Sequence, residues 1–263
     1  MKLQTRSVEK VWGRRELPPP FAATGDEPIG EIWFEPPPEL PQVLVKYLFT
    51  SEKLSVQVHP SDADAPQGSR GKEECWLVLA AEPGATLAIG FKEPLGREAM
   101  REAALDGSIE HLLVWHPVKA GDFFYLPAGT VHAIGPGLTL VEVQQNSDIT
   151  YRLYDYGRPR DLHLEDGVSV AKGGRYAERC RRTVSDRESA TLVDGPHFRF
   201  SHCVDAPDAR MSAGHPGAVQ LLPLEGIIGI DGETIAAGEC GLAATIETVD
   251  FTRAKRTLIV SAA

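Results

Sequence analysis

The chain has 263 residues, 42% of them hydrophobic, with 27 Lys and Arg against 37 Asp and Glu, a net charge of −10. That charge repels phosphate backbones and acidic lipid surfaces, which argues against nucleic acid and membrane partners, while a local cation cluster or a metal can still draw an anionic small molecule into one cleft. Cys75, Cys180, Cys203 and Cys240 are widely spaced and form no Cys-x-x-Cys pair, residues 1–10 lack the apolar core of a signal peptide, and no stretch has the length of a membrane span. These features read as a cytoplasmic protein with reduced thiols, large enough for one big β domain or two smaller ones.

In chain order, Gln42 to Phe49 is a nearly unbroken apolar run and Leu54 to His59 alternates in polarity. Both patterns predict strands. Between Glu93 and Leu113 the period changes, and Pro94, Leu95, Met100, Ala104 and Leu105 predict a short helix opened by a proline. Phe123 to Leu126 and Leu138 to Gln145 return to the strand pattern. Near Leu164 to Arg187 charged residues dominate, which puts a boundary between residues 1–165 and 166–263. The second part contains a hairpin pattern over Gln220 to Ile235 with Asp231-Gly232 as its turn. The predicted class is all-β, in barrel or sandwich form, with a small helical decoration.

Chemistry first appears in Leu54-Ser55-Val56-Gln57-Val58-His59, where the strand period of two puts Ser55, Gln57 and His59 on one face. By itself this face could simply be solvated. The segment Gly121 to His132 reads as a glycine turn, an aromatic strand, a Pro127-Ala128-Gly129 turn and then a histidine, which has the form of the second cupin motif. The turn redirects the chain so that His132 faces the polar side of the first strand. In Gly71-Lys72-Glu73-Glu74-Cys75-Trp76, spacing alone allows either acid to be a ligand. His111, His116 and His163 lie outside these patterns and receive no role.

Three passages, Lys46 to Pro60, Gly71 to Trp76 and Gly121 to Tyr156, resemble those of type I mannose-6-phosphate isomerases. The most diagnostic piece is the run from Leu140 to Asp155, LVEVQQNSDITYRLYD, directly after the second cupin motif. Val11-Trp12-Gly13 and Gly30-Glu31-Ile32-Trp33 are similar to family segments ahead of the metal strand. The resemblance implies a cupin (jelly-roll) β-barrel over residues 1–165, a second, degenerate, metal-free cupin-like barrel over 166–263, and the short bacterial form. It implies Gln57, His59, Glu74 and His132 as ligands of one Zn2+, with Glu74 in place of Glu73. Mn2+, Fe2+ or Co2+ also suit such a nitrogen and oxygen set.

The implied reaction interconverts mannose 6-phosphate and fructose 6-phosphate by moving a proton between C1 and C2, which needs an acid/base group beside a Lewis acid. Lys72 is the expected proton carrier, since it lies two residues before Glu74 and an extended chain points both to one side. Asp148 with His59 is expected to assist ring opening, and Arg152 to clamp substrate oxygens or phosphate. Glu142, Asp148 and Arg152 share parity along one stretch, as do Gln144, Asn146 and Thr150, so a continuous strand would gather them on one face with Glu142 as a substrate contact. Lys46 interrupts an apolar run and must reach a partner, for which a phosphate would serve. The expected partner is a phosphorylated sugar, with the chain a monomer or homodimer. An Fe2+ oxygenase cupin and a non-catalytic sugar-phosphate-binding cupin are the alternatives.

Overall fold

Short β-branched runs punctuated by glycine and proline pair as antiparallel strands in three sheets. In the computed structural model, which describes residues 1–22 and 25–263, the first sheet runs in the order Thr5–Arg14, Ile29–Phe34, Val43–Phe49, Leu138–Gln145, Glu74–Ala81, Asp122–Leu126 and Arg181–Thr183. The second runs Tyr151–Tyr154, Val56–Val58, His132–Ile134, Thr86–Phe91 and Leu113–Pro117. These two face each other across a core that includes Leu48, Trp76 and Leu140 from the first sheet and Leu87, Ile89 and Ile134 from the second. The arrangement is the two-sheet cupin fold.

The third sheet, Ala190–Asp194, Phe198–Val204, Ala254–Ala262, Val219–Ile230 and Glu233–Ala236, lies against the other side of the first. Phe198, Phe200, Leu222 and Leu258 pack there with Val45, Tyr47, Leu77 and Val143. That cover explains why Val43–Phe49 and Leu138–Gln145 are apolar almost throughout: both strands are buried on both faces, and they pair in register from Val43 opposite Gln145 to Phe49 opposite Thr139. The two charged exceptions, Lys46 and Glu142, face each other across that register, on the side toward the second sheet. Helices cover the far face of the second sheet, with Met100, Ala104 and Val168 packed on Val58, Phe91 and Ala133.

The helical segment is two helices, Arg97–Asp106 and Ile109–Leu112, separated by Gly107, whose φ of 81° suits its lack of a Cβ. Pro94 precedes the first helix, whose N-cap is Gly96. Met100 and Ala104 are buried as their spacing requires, but Leu105 is 59% exposed, because one residue beyond Ala104 the helix has turned about 100° away from the core. The predicted hairpin forms with Asp231 and Gly232 both at positive φ, 50° and 81°, as a two-residue turn between twisted strands demands. Among the described residues no helix is long and apolar enough to cross a membrane.

A buried histidine in the second half sets an acid limit on stability. His215 shares hydrogen bonds with Ser201 Oγ at 2.8 Å and Ser261 Oγ at 2.9 Å, and burial, with Arg199 adding to it, lowers its pKa to about 4. Because the unfolded chain takes up that proton near pH 6.5 and the folded chain only near 4, the group's contribution is present above about 6.5 and is lost as pH falls to about 4, a change of about 3 kcal/mol. Thermal melts between pH 7 and 4 are expected to show this loss, and His215→Gln, which cannot titrate, should flatten that part of the profile.

Candidate metal centre and cleft

Strand register assembles the site from two rows of side chains. On the second sheet Gln57 stands opposite His132 on one side and Arg152 on the other. On the first sheet a row runs Trp33, Lys46, Glu142, Trp76 and Phe124. Both rows border the same cleft, of about 650 Å³, whose lining includes Lys46, Gln57, Lys72, Glu74, Glu142, Asp148 and Arg152. His59 and His132 lie behind the lining residues Lys72, Glu74 and Gln57, which they contact, and are 2% and 1% exposed.

Among the described residues His59, Glu74 and His132 form a group with metal-ligand geometry, one donor atom of each lying within 4.8 Å of the others. His59 Nε2 is 3.4 Å from Glu74 Oε2, and His132 Nε2 is 3.4 Å from Glu74 Oε1. Each ring donates its Nδ1–H to a backbone carbonyl, His59 to Ile149 at 2.8 Å and His132 to Thr130 at 2.9 Å. These bonds fix the tautomer that leaves the Nε2 lone pairs facing Glu74, the outer-shell arrangement a metal-binding histidine needs. Burial first, with the Lys72 charge, pushes the His59 pKa well below 6.5, and burial also lowers that of His132, so both rings stay neutral donors. Burial by itself raises the Glu74 pKa, but the Lys72 ammonium and His132 outweigh it and hold the group below the ordinary carboxylate range. The donor set therefore fits a divalent ion.

Gln57 approaches the same point, with its Nε2 3.2 Å from His132 Nε2 and its Oε1 accepting from Ser55 Oγ at 3.1 Å. Exchanging the two ends of the amide turns its oxygen toward the histidines, an assignment that geometry leaves free. Glu73 points elsewhere: its carboxylate accepts from Tyr125 O–H, while Glu74 turns inward. One residue of strand shift reverses the face, which is why adjacent acids have separate fates.

Lys72 is 5% exposed, and its Nζ contacts the Glu74 carboxylate, His59 Nε2 at 3.1 Å and Glu142 Oε1 at 3.3 Å. Lys46 is held by Glu142 at 3.0 Å and Glu31 at 3.8 Å; burial lowers its pKa, but Glu142, Glu31 and Glu74 together raise it above the ordinary lysine value, so its charge persists. Glu142 also accepts from Trp76 Nε1 at 3.2 Å. Two ammonium groups and three carboxylates leave this buried network at about −1, which a divalent ion changes to about +1.

The even-numbered run from Glu142 to Arg152 is not one continuous strand. The strand ends at Gln145, residues 146–150 form a loop, and pairing resumes at Tyr151. Asp148 and Thr150 still border the cleft, but Asn146 is exposed and donates to the Pro41 carbonyl at 2.8 Å. Arg152 borders the cleft, with Nη1 donating to Asp161 O at 2.5 Å and a buried Nε that has no partner among the described residues. The cleft also uses residues that the sequence patterns did not single out: Glu31, Trp76, Arg160 and His163. Trp76 shares strand parity with Glu74 and was within reach of that rule, whereas Arg160 and His163 sit in an irregular segment with no period to mark them.

Fold and site together define a metal-binding cupin. No family model matches the chain. Sequence comparison aligns 166 residues, 59% of this chain, with the mannose-6-phosphate isomerase of Streptococcus mutans serotype c at 43% identity, and 168 residues, again 59%, with the mannose-6-phosphate isomerase ManA of Bacillus subtilis at 39%. The chain spans about half the length of these curated relatives, 52% and 53%. The crystal structure of the mannose 6-phosphate isomerase from Bacillus subtilis superposes with a TM-score of 0.80 over 98% of each chain at 25% identity. A zinc-bound mannose 6-phosphate isomerase at 16% identity shares the fold, with a TM-score of 0.75 over 99% of this chain and 98% of its own. The chain is thus similar, in sequence over its first part and in fold over nearly all of it, to proteins named mannose-6-phosphate isomerase.

Proposed function

We propose that the chain is a metal-dependent aldose–ketose isomerase that interconverts D-mannose 6-phosphate and D-fructose 6-phosphate. The observation that carries this reading is the buried His59–Glu74–His132 group with Lys72 in direct contact with it, beside a cleft large enough for a hexose phosphate. The names of the relatives supply the substrate, and the zinc-bound neighbour supports Zn2+ as the ion, one per chain. The catalytic unit is taken as residues 1–183 rather than the expected 1–165, since Val168 packs on the second sheet and Arg181–Thr183 pairs with Asp122–Leu126 in the first, and the second unit is the remainder, 184–263. The active form is a cytoplasmic monomer or homodimer.

Gln57, His59, Glu74 and His132 hold the ion in this scheme. When bound, it supplies Lewis acidity that favours negative charge on the substrate oxygens. Lys72 carries the proton between C1 and C2 of the open-chain sugar, and its contacts with Glu74 and Glu142 fix its Nζ beside the metal group. Asp148 at the rim assists ring opening, while His59, expected to share that role, has Nδ1 committed to the Ile149 carbonyl and Nε2 turned to the metal group, so it serves as a ligand. Glu142, itself held by Lys46 and Trp76, accepts from sugar hydroxyls, and Arg152 clamps the substrate's oxygens. Lys46 holds Glu142 in place and adds positive charge at the cleft wall.

A coupled assay with fructose 6-phosphate, run on the purified chain before and after chelation and after zinc repletion, tests the reading. Chelator-sensitive isomerisation restored by zinc is the expected result, and inactivity in every state contradicts it. Gln57→Ala removes the amide donor only, so it is expected to weaken metal affinity about 10-fold or more while His59, Glu74 and His132 keep binding measurable in a chelator competition titration.

A further inference from the structure

Behind the first sheet, on the face turned away from the metal row, lies a second pocket of about 550 Å³ that the proposed proton chemistry does not use. The first sheet lines it with Tyr47, Leu77, Leu79 and Thr139, the third with His202, Leu224 and Arg256, and the segments 18–21 and 184–186 border it. Strand parity sets this arrangement. Tyr47 and Thr139 lie on the faces opposite those of Lys46 and Glu142, while His202 shares a face with Phe198 and Phe200, and Arg256 with Leu258 and Val260. His202 stands opposite Leu258 and Arg256 opposite Val204, so the two are diagonal neighbours with Cβ atoms about 7 Å apart. Phe21 is fixed in place by edge contacts with Tyr47 and Phe49, ring centroids 4.6 Å and 5.0 Å apart.

Three side chains bring polar atoms without partners to this largely apolar space. His202, 1% exposed, donates Nδ1–H to the Glu188 carbonyl at 3.2 Å, and burial lowers its pKa, so the ring is neutral and Nε2 is an acceptor with no donor among the described residues. The Arg256 guanidinium makes no hydrogen bond among the described residues: its buried Nε lies 3.5 Å from Glu225 Oε2 without bonding to it, while the same carboxylate accepts from Lys255 Nζ at 2.9 Å. Thr139, 5% exposed, has a hydroxyl with no partner among the described residues. Buried polar groups are ordinarily hydrogen-bonded, and a mostly apolar pocket with a few such groups is the usual form of a small-molecule site.

We infer that this pocket binds a planar heterocycle presenting a carbonyl beside an N–H, the lactam edge of uracil or guanine, with the carbonyl accepting from Arg256 and the N–H donating to His202 Nε2. The assignment of the two groups follows from the bonds already made: Arg256 can only donate, and the tautomer fixed by the Glu188 carbonyl makes His202 Nε2 accept. A simple carboxylate supplies acceptors only and leaves His202 unpaired, with Glu225 and Asp186 adding repulsion. The flat ring faces suit Pro18, Phe21, Leu77 and Pro223, and a pocket of this volume holds a nucleoside. Such an occupant lies across one sheet from the catalytic cleft, behind the strands that carry Lys46 and Glu142.

The site stands apart from the isomerase reading, and binding tests it. Titration calorimetry of the metal-loaded chain is expected to show saturable binding of uridine, and binding at least 10-fold weaker for 3-methyluridine, which keeps the ring and both carbonyls but lacks the N–H. Arg256→Met is expected to weaken uridine binding at least 5-fold, Leu79→Trp, which fills the pocket from the first sheet, to abolish it, and His202→Phe to bind the two nucleosides equally. Arg152→Gln, in the catalytic cleft, is expected to keep native uridine affinity. No binding of uridine or guanosine up to about 10 mM, equal affinities of the native chain for uridine and 3-methyluridine, or native affinity in both Arg256→Met and Leu79→Trp would overturn the site. Arg256 is partly exposed, so Arg256→Met carries the test even where His202→Phe does not fold. Uridine binding that depends on Arg256 in a chain that isomerises nothing would uphold the site and overturn the isomerase reading.

Discussion

Replacing His132 by alanine is expected to abolish metal retention and lower isomerase activity by at least about 10³-fold, the scale of losing several kcal/mol of charge stabilisation. The residue sits at the centre of the second-sheet row, paired with Gln57 and 3.4 Å from Glu74, and its Nδ1–H is committed to the Thr130 carbonyl. Removing the ring leaves His59, Glu74 and the weaker amide donor Gln57. Metal content by mass spectrometry and the turnover rate check this together. A variant that keeps one ion per chain and activity within 10-fold of native would remove His132 from the centre. Because the side chain is buried against Trp76, with ring centroids 5.3 Å apart, a melt should accompany the assay to separate loss of metal from loss of fold.

Lys72→Met is expected to leave the metal bound while lowering turnover by about 10²- to 10⁴-fold, the usual range for a lost general acid/base. The methionine fills similar space without the ammonium. Its effect on the metal-free protein should be larger than a packing change, because Lys72 is a direct partner of both Glu74 and Glu142. Losing one member of a buried charge network costs about 3–5 kcal/mol when the others remain uncompensated. A bound divalent ion offsets part of that excess negative charge, so zinc should rescue the melting temperature more strongly in Lys72→Met than in the native chain. Isomerisation within 10-fold of native would show that another group moves the proton. Deuterium from solvent should enter the C2 position of recovered mannose 6-phosphate in the native chain and far more slowly in the variant.

Much of the site was legible because strand arithmetic is rigid. Gln57 and His59 share a face in any strand, and the Pro127-Ala128-Gly129 turn delivers His132 to that face. Glu74 could not be separated from Glu73 by spacing, since the choice depends on which face of Glu74–Ala81 meets the cleft, and only packing decides that. Lys46 stood out as a charge in an apolar run, but its partners Glu142 and Glu31 come from neighbouring strands far away in sequence. The break at residues 146–150 was hidden because parity continues through a loop even when pairing does not. Arg160 went unmarked and His163, given no role from its spacing, nonetheless borders the cleft, for a related reason: both occupy an irregular segment, and what positions them is the Asp155 carboxylate and the Arg152 backbone.

The most direct test of the central claim is X-ray absorption at the metal edge, with metal content, on the chain purified without added chelator. The account predicts one divalent ion per chain, zinc in the first instance, bound only by nitrogen and oxygen at about 2.0–2.2 Å with a two-imidazole signature that disappears in His59→Ala and His132→Ala. A chain that takes up no divalent ion, or one whose ion has sulfur neighbours from the cysteines, would contradict it.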